Sequence, residues 1–123
     1  MGDINLLKEK SKEFANNSLP LITDIYSEHK DNPSIRFIYY YTIYFYCNVE
    51  IALSLDSKER FISKITDVID ALHLIGYPLT LILVKDFINK ELRNSICEYL
   101  CYVRDFTKDI AKDSNDEFSE FEE

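Results

Sequence analysis

Backbone breakers are scarce in this chain, with two glycines and three prolines among 123 residues, and that scarcity narrows the fold more than any other feature. Sandwiches and barrels turn the chain back roughly every 8–12 residues and build those turns from Gly, Pro, Asn and Asp. So few breakers, in a chain that is 46% hydrophobic and 14% aromatic, leave long apolar stretches free to coil. The expectation is an all-α fold, a compact bundle of about five or six helices. The length suits one domain with its own core and is too short for two.

Punctuation residues divide the chain. Asp3 is a candidate N-cap for a first helix reaching about Ala15, with Ile4, Leu7 and Phe14 as apolar contacts, and Asn16 to Ser18 stop it. Pro20 sits where a second helix, Leu21 to His29, can begin without losing a needed N–H, and Asp31, Asn32 and Pro33 break the chain again. Ser34 to Leu55 has the propensity of a strand, since it is dense in Ile, Tyr and Phe. It lacks alternation, however, and two rows fit helical spacing: Ile35, Ile38, Thr42, Phe45, Val49, and Phe37, Tyr41, Tyr44, Cys47, Ile51. It is read as a central helix covered around most of its circumference.

Asp56 followed by Glu59 suggests a capping arrangement for a helix carrying Phe61, Ile65, Val68, Leu72 and Ile75 on one face, with Gly76 as its end. From Pro78 to Lys112 the apolar spacing continues without a breaker, compatible with one long helix or with two joined near Asn89. Residues 1–112 form the expected domain. Residues 113–123 hold six acids and no base, with two phenylalanines as their only apolar residues, and read as a disordered acidic tail.

The formal charge is −8, but outside that tail 16 acids face 14 bases. Direct binding to nucleic acid or to an anionic membrane is disfavoured, because both need clustered Lys and Arg against phosphates. A basic protein partner suits the field. The longest apolar stretch, Phe37 to Val49, falls short of the roughly 20 residues of a membrane span. Three cysteines, an odd number, suit a reducing compartment, and with no basic-then-apolar leader in residues 1–17 the expectation is a cytoplasmic protein.

Catalytic chemistry finds little material, with two histidines, no Gly-rich loop, no HExxH, and no arginine five residues before a histidine as in helical ribonucleases. No enzyme activity and no cofactor are expected. Cys97 and Cys101 lie one turn apart and, with His73, offer ligands to a metal, but their place beside Ile96, Leu100 and Val103 favours core packing. Asp67, Asp70 and His73 share a helix as an acid/base cluster or, more simply, as a solvated face.

What remains points to protein binding. Glu91, Glu98 and Asp105 recur every seven residues, with Asp109 one turn on, Asp116, Glu117 and Glu120 extend the acids into the tail, and Asp67 and Asp70 join them as candidate partner contacts. Nine tyrosines and no tryptophan include more rings in Phe37 to Tyr46 than a small core can hide, so some of Tyr39, Tyr40 and Tyr46 should reach the surface. The functional expectation is an immunity or antitoxin-type inhibitor covering the cationic site of a toxin, such as a nuclease. The alternative is a self-associating structural or adaptor helical protein, a homodimer through its aromatic helix.

Overall fold

A computed structural model describes the backbone of residues 4–86 and 89–122; side chains at 69, 84–88 and from 107 onward lie outside the described residues. Among the described residues the fold is all-α and contains no strand: α1 (Ile4–Asn17), α2 (Leu19–Glu28), α3 (Pro33–Ser54), α4 (Lys58–Asp86) and α5 (Lys90–Glu122). The assignment of α5 carries on through 113–122, where the sequence suggested a flexible acidic tail. The proposed cap Asp3 lies outside the described residues.

The starts of α3, α4 and α5 follow from local hydrogen-bonding solutions. Asn32 caps α3: its side-chain oxygen accepts from the Ser34 and Ile35 N–H groups at 2.9 and 3.2 Å, and Pro33 follows at a position that needs no donor. Asn89 caps α5 in the same way, accepting from the Leu92 N–H at 3.0 Å, so the long apolar stretch after Pro78 is two helices rather than one. At α4 the cap is Ser57, whose hydroxyl accepts from the Arg60 N–H at 3.2 Å; Asp56, the residue suggested by the sequence, is not used.

Gly76 does not end α4. The helix runs on through Pro78 to Asp86, because the apolar row resumes in register beyond the breakers and Leu79 and Leu83 are fully buried. An interior proline ordinarily weakens a helix by about 3 kcal/mol, and burial of large aliphatic side chains at about 1.5–3 kcal/mol each is enough to hold the segment helical. Lys58–Leu83 is also long and apolar enough to cross a membrane by length and composition.

The core lies among all five helices: Leu7 and Phe14 of α1, Ile22 of α2, Ile38, Phe45 and Val49 of α3, Ile65, Leu79 and Leu83 of α4, and Leu92, Ile96 and Val103 of α5. α3 packs on α1, α2 and α4, while α5 closes against α1 and α4. The first row read on α3, Ile35 to Val49, is buried as expected. The second row is not: Phe37 and Tyr41 are half-buried, while Tyr44, Cys47 and Ile51 are exposed. One face of α3 is thus covered and its opposite face meets solvent. Thr42 is buried within the covered row, and its hydroxyl has no hydrogen-bond partner among the described residues.

Candidate functional site

The tyrosines separate into two groups with different neighbours. At the junction of α2 and α3, the Tyr26 ring stacks on Tyr39 with centroids 4.2 Å apart and planes 4° apart. The Tyr26 and Tyr40 hydroxyls meet at 3.2 Å, and that hydrogen bond raises the Tyr26 phenol above its ordinary pKa. Tyr40 remains 54% exposed. Stacking gives these rings a fixed presentation, since each one's rotation is limited by its neighbour.

The second group lies along the seam between α1 and α5. Phe14 stacks on Tyr99 at 4.4 Å and 5°, and Tyr46 from α3 closes on both rings at 6.2 and 6.5 Å. The Tyr99 hydroxyl lies 2.9 Å from the buried Ser11 hydroxyl. Burial pushes the Tyr99 phenol far above its ordinary pKa, so the ring is held neutral. Of the three tyrosines picked out in the sequence, Tyr40 is the exposed one, while Tyr39 and Tyr46 are half-buried. Tyr44, 47% exposed, and Tyr77, 73% exposed, were missed. Their helical positions opposite the buried rows of α3 and α4 were the available signal.

The acids are also distributed. Glu91, Glu98 and Asp105 are all exposed along the outer side of α5, where Arg104 Nε lies 3.3 Å from the Asp105 carboxylate. Asp67 and Asp70 are exposed on α4, as is His73, and the face is a solvated one. The side chains of Asp109, Asp116, Glu117 and Glu120 lie outside the described residues. The contacts of Tyr40 are with Tyr26 of α2 and Tyr39 of α3, whereas Glu91, Glu98 and Asp105 lie on α5.

Cys97 packs against the edge of the core, whereas Cys101 does not. Cys97 is half-buried and Cys101 exposed, because the buried row of α5 runs through Leu92, Ile96, Tyr99, Val103 and Phe106 and leaves position 101 turned off it. Both thiols line a cleft of about 300 Å³ between α4 and α5, with Leu72, Gly76, Tyr77 and Arg104. Burial, with the neighbouring Cys101, raises the Cys97 pKa above that of an ordinary thiol. Among the described residues no group of three or more His, Cys, Asp or Glu side chains is placed to hold a metal ion.

A second cleft, of about 380 Å³, opens between α1 and α5 and is lined by Lys10, Glu13, Phe14, Glu98, Tyr99 and Tyr102. It combines carboxylates with aromatic rings. Comparison with protein-family models, with curated proteins and with solved structures finds no match to this chain.

Proposed function

We propose that the chain is a protein-binding module of the immunity or antitoxin kind, which covers the cationic site of a basic partner such as a nuclease toxin. The observation that carries this reading is the exposed row Glu91, Glu98 and Asp105 on α5, set on a chain with net charge −8. A site that holds phosphate is basic, and acids presented in a row speed association with it and favour one orientation. Exposed Tyr40, fixed by Tyr26, supplies apolar area of the kind that anchors interfaces.

The test is capture of partners from host lysate on the immobilised full chain at low and high salt, followed by assay of the captured protein's activity with and without the chain. A basic protein released by salt, whose activity the chain suppresses, supports the reading. Capture that ignores salt and a Glu91→Gln/Glu98→Gln/Asp105→Asn variant, or a partner left fully active, sinks it.

A second reading is self-association, favoured by the outward row Leu74, Tyr77 and Leu81 on α4, of which the first two are 75% and 73% exposed. Apolar rows of this kind often mark an interface. Sedimentation of the wild-type chain and of Leu74→Ser/Tyr77→Ser decides it: a concentration-dependent dimer lost in the variant supports a paired structural protein.

A further inference from the structure

We propose that the α1/α5 cleft receives an arginine side chain of the protein partner, an assignment that rests on the binding role set out above. A guanidinium asks for three things: carboxylates to take its forked N–H groups, an aromatic surface for its planar face, and an apolar wall along its methylene stem. The cleft offers all three. Glu13 from α1 and Glu98 from α5 are exposed on its two walls, half-buried Tyr102 supplies the accessible aromatic and apolar surface, and Phe14 and Tyr99, each 5% exposed and stacked on one another, back the cleft from the core side.

The back of the cleft is fixed before any partner arrives. Tyr99 is anchored through its hydroxyl to Ser11 on α1, and its ring lies flat on Phe14, so binding an arginine orders little that is not already ordered. Two acids on separate helices favour arginine over lysine, because a planar fork can engage two walls while an ammonium is a single point charge. Charge separates this cleft from its neighbour. The α1/α5 cleft has Glu13 and Glu98 against Lys10, whereas the groove between α1 and α3 has Lys8 and Lys12 against Glu50. A cation is drawn to the first and repelled by the second.

The experiment uses the full chain labelled with ¹⁵N and titrated with Nα-acetyl-arginine amide, with the lysine and citrulline amides alongside. Saturable shifts centred on the amides of Glu13, Asn17, Ser95, Glu98 and Tyr102 are expected for arginine, weaker ones for lysine and none for citrulline. Glu13→Gln/Glu98→Gln should weaken binding by roughly tenfold or more, and Lys8→Gln/Lys12→Gln should leave it unchanged. All four positions are exposed, and unchanged thermal unfolding shows that the variants fold. Equal lysine and arginine shifts spread over all the acidic helices overturn the assignment. So does a dissociation constant below about 10 µM for the free amide, which would make the occupant a free guanidinium compound rather than a side chain.

The captured basic partner separates the two claims. If it holds Glu13→Gln/Glu98→Gln as tightly as the wild type, the cleft assignment falls and the binding role stands. If no basic partner is captured while the arginine amide saturates the cleft and the variant does not, the guanidinium chemistry stands and the protein-binding role falls.

Discussion

Tyr99 and Tyr77 are the same residue on neighbouring helices, and they have opposite environments. Tyr99 is 5% exposed, bonded to Ser11 and stacked on Phe14; Tyr77 is 73% exposed beside Leu74 at 75%. The difference lies in the partner for the hydroxyl. A phenol goes inward where a buried polar group can meet it, and α1 supplies one at Ser11, in register with its apolar Leu7 and Phe14. The α1/α5 seam is therefore a specified contact, while the outer ridge of α4 is surface left open.

The largest way to break that contrast is Tyr99→Ala, expected to destabilise the fold by about 3–5 kcal/mol in denaturant unfolding, since a large buried ring is replaced by a cavity. Ser11→Ala comes next at about 1–3 kcal/mol, because it strands the Tyr99 hydroxyl in the core; adding Tyr99→Phe should recover part of the loss. A thermodynamic cycle over these variants that shows simple additivity would mean the 2.9 Å contact does not couple α1 to α5.

Alkali should read out the same seam with a smaller effect. The Tyr99 phenol is raised in the folded chain relative to about 10 in the unfolded one, so the folded state keeps its proton longer. Its contribution is full below pH 10 and is lost as pH climbs from there toward the raised folded value. Stability curves for the wild type should fall above pH 10 more steeply than those for Tyr99→Phe. Tyr46, raised by its own burial, adds in the same direction.

Thr42→Val should stabilise by about 1 kcal/mol, because it replaces an unpartnered buried hydroxyl with an isosteric methyl. Tyr77→Ala should be smallest, within about 0.5 kcal/mol of wild type by thermal unfolding. A larger loss would show that the α4 ridge is covered in solution.

Much of the helical character was legible because spacing, not propensity, decides it. Ile35, Ile38, Thr42, Phe45 and Val49 formed a row at helical intervals within a segment rich in strand-formers, and that row is buried. What misled was local punctuation. Gly76 resembled a stop, yet α4 passes through it, because Leu79 and Leu83 have a core to enter on the far side. A Cβ at Gly76 would meet only Leu72 Cδ2 at 3.9 Å, so neither space nor backbone conformation requires glycine there.

Which of two apolar rows faces inward depends on neighbouring helices that a single row cannot reveal. Tyr44 and Cys101 were misplaced for that reason. The candidate site was half legible: the α5 acids lie on one exposed row as spaced, whereas the cleft joining Glu13 to Glu98 pairs residues from opposite ends of the chain and left no local trace.

The Ser11 and Tyr99 hydroxyls are separated by 88 residues of chain, and this bears on biosynthesis. At typical translation rates of about 5–20 residues per second, α1 waits roughly 4–18 s after its own synthesis for the helix that completes its cover. Through that interval Leu7 and Phe14 have only α2 and α3 to shelter against. The nascent chain is most exposed to chaperone capture, or to mispairing with another copy, just before α5 leaves the ribosome.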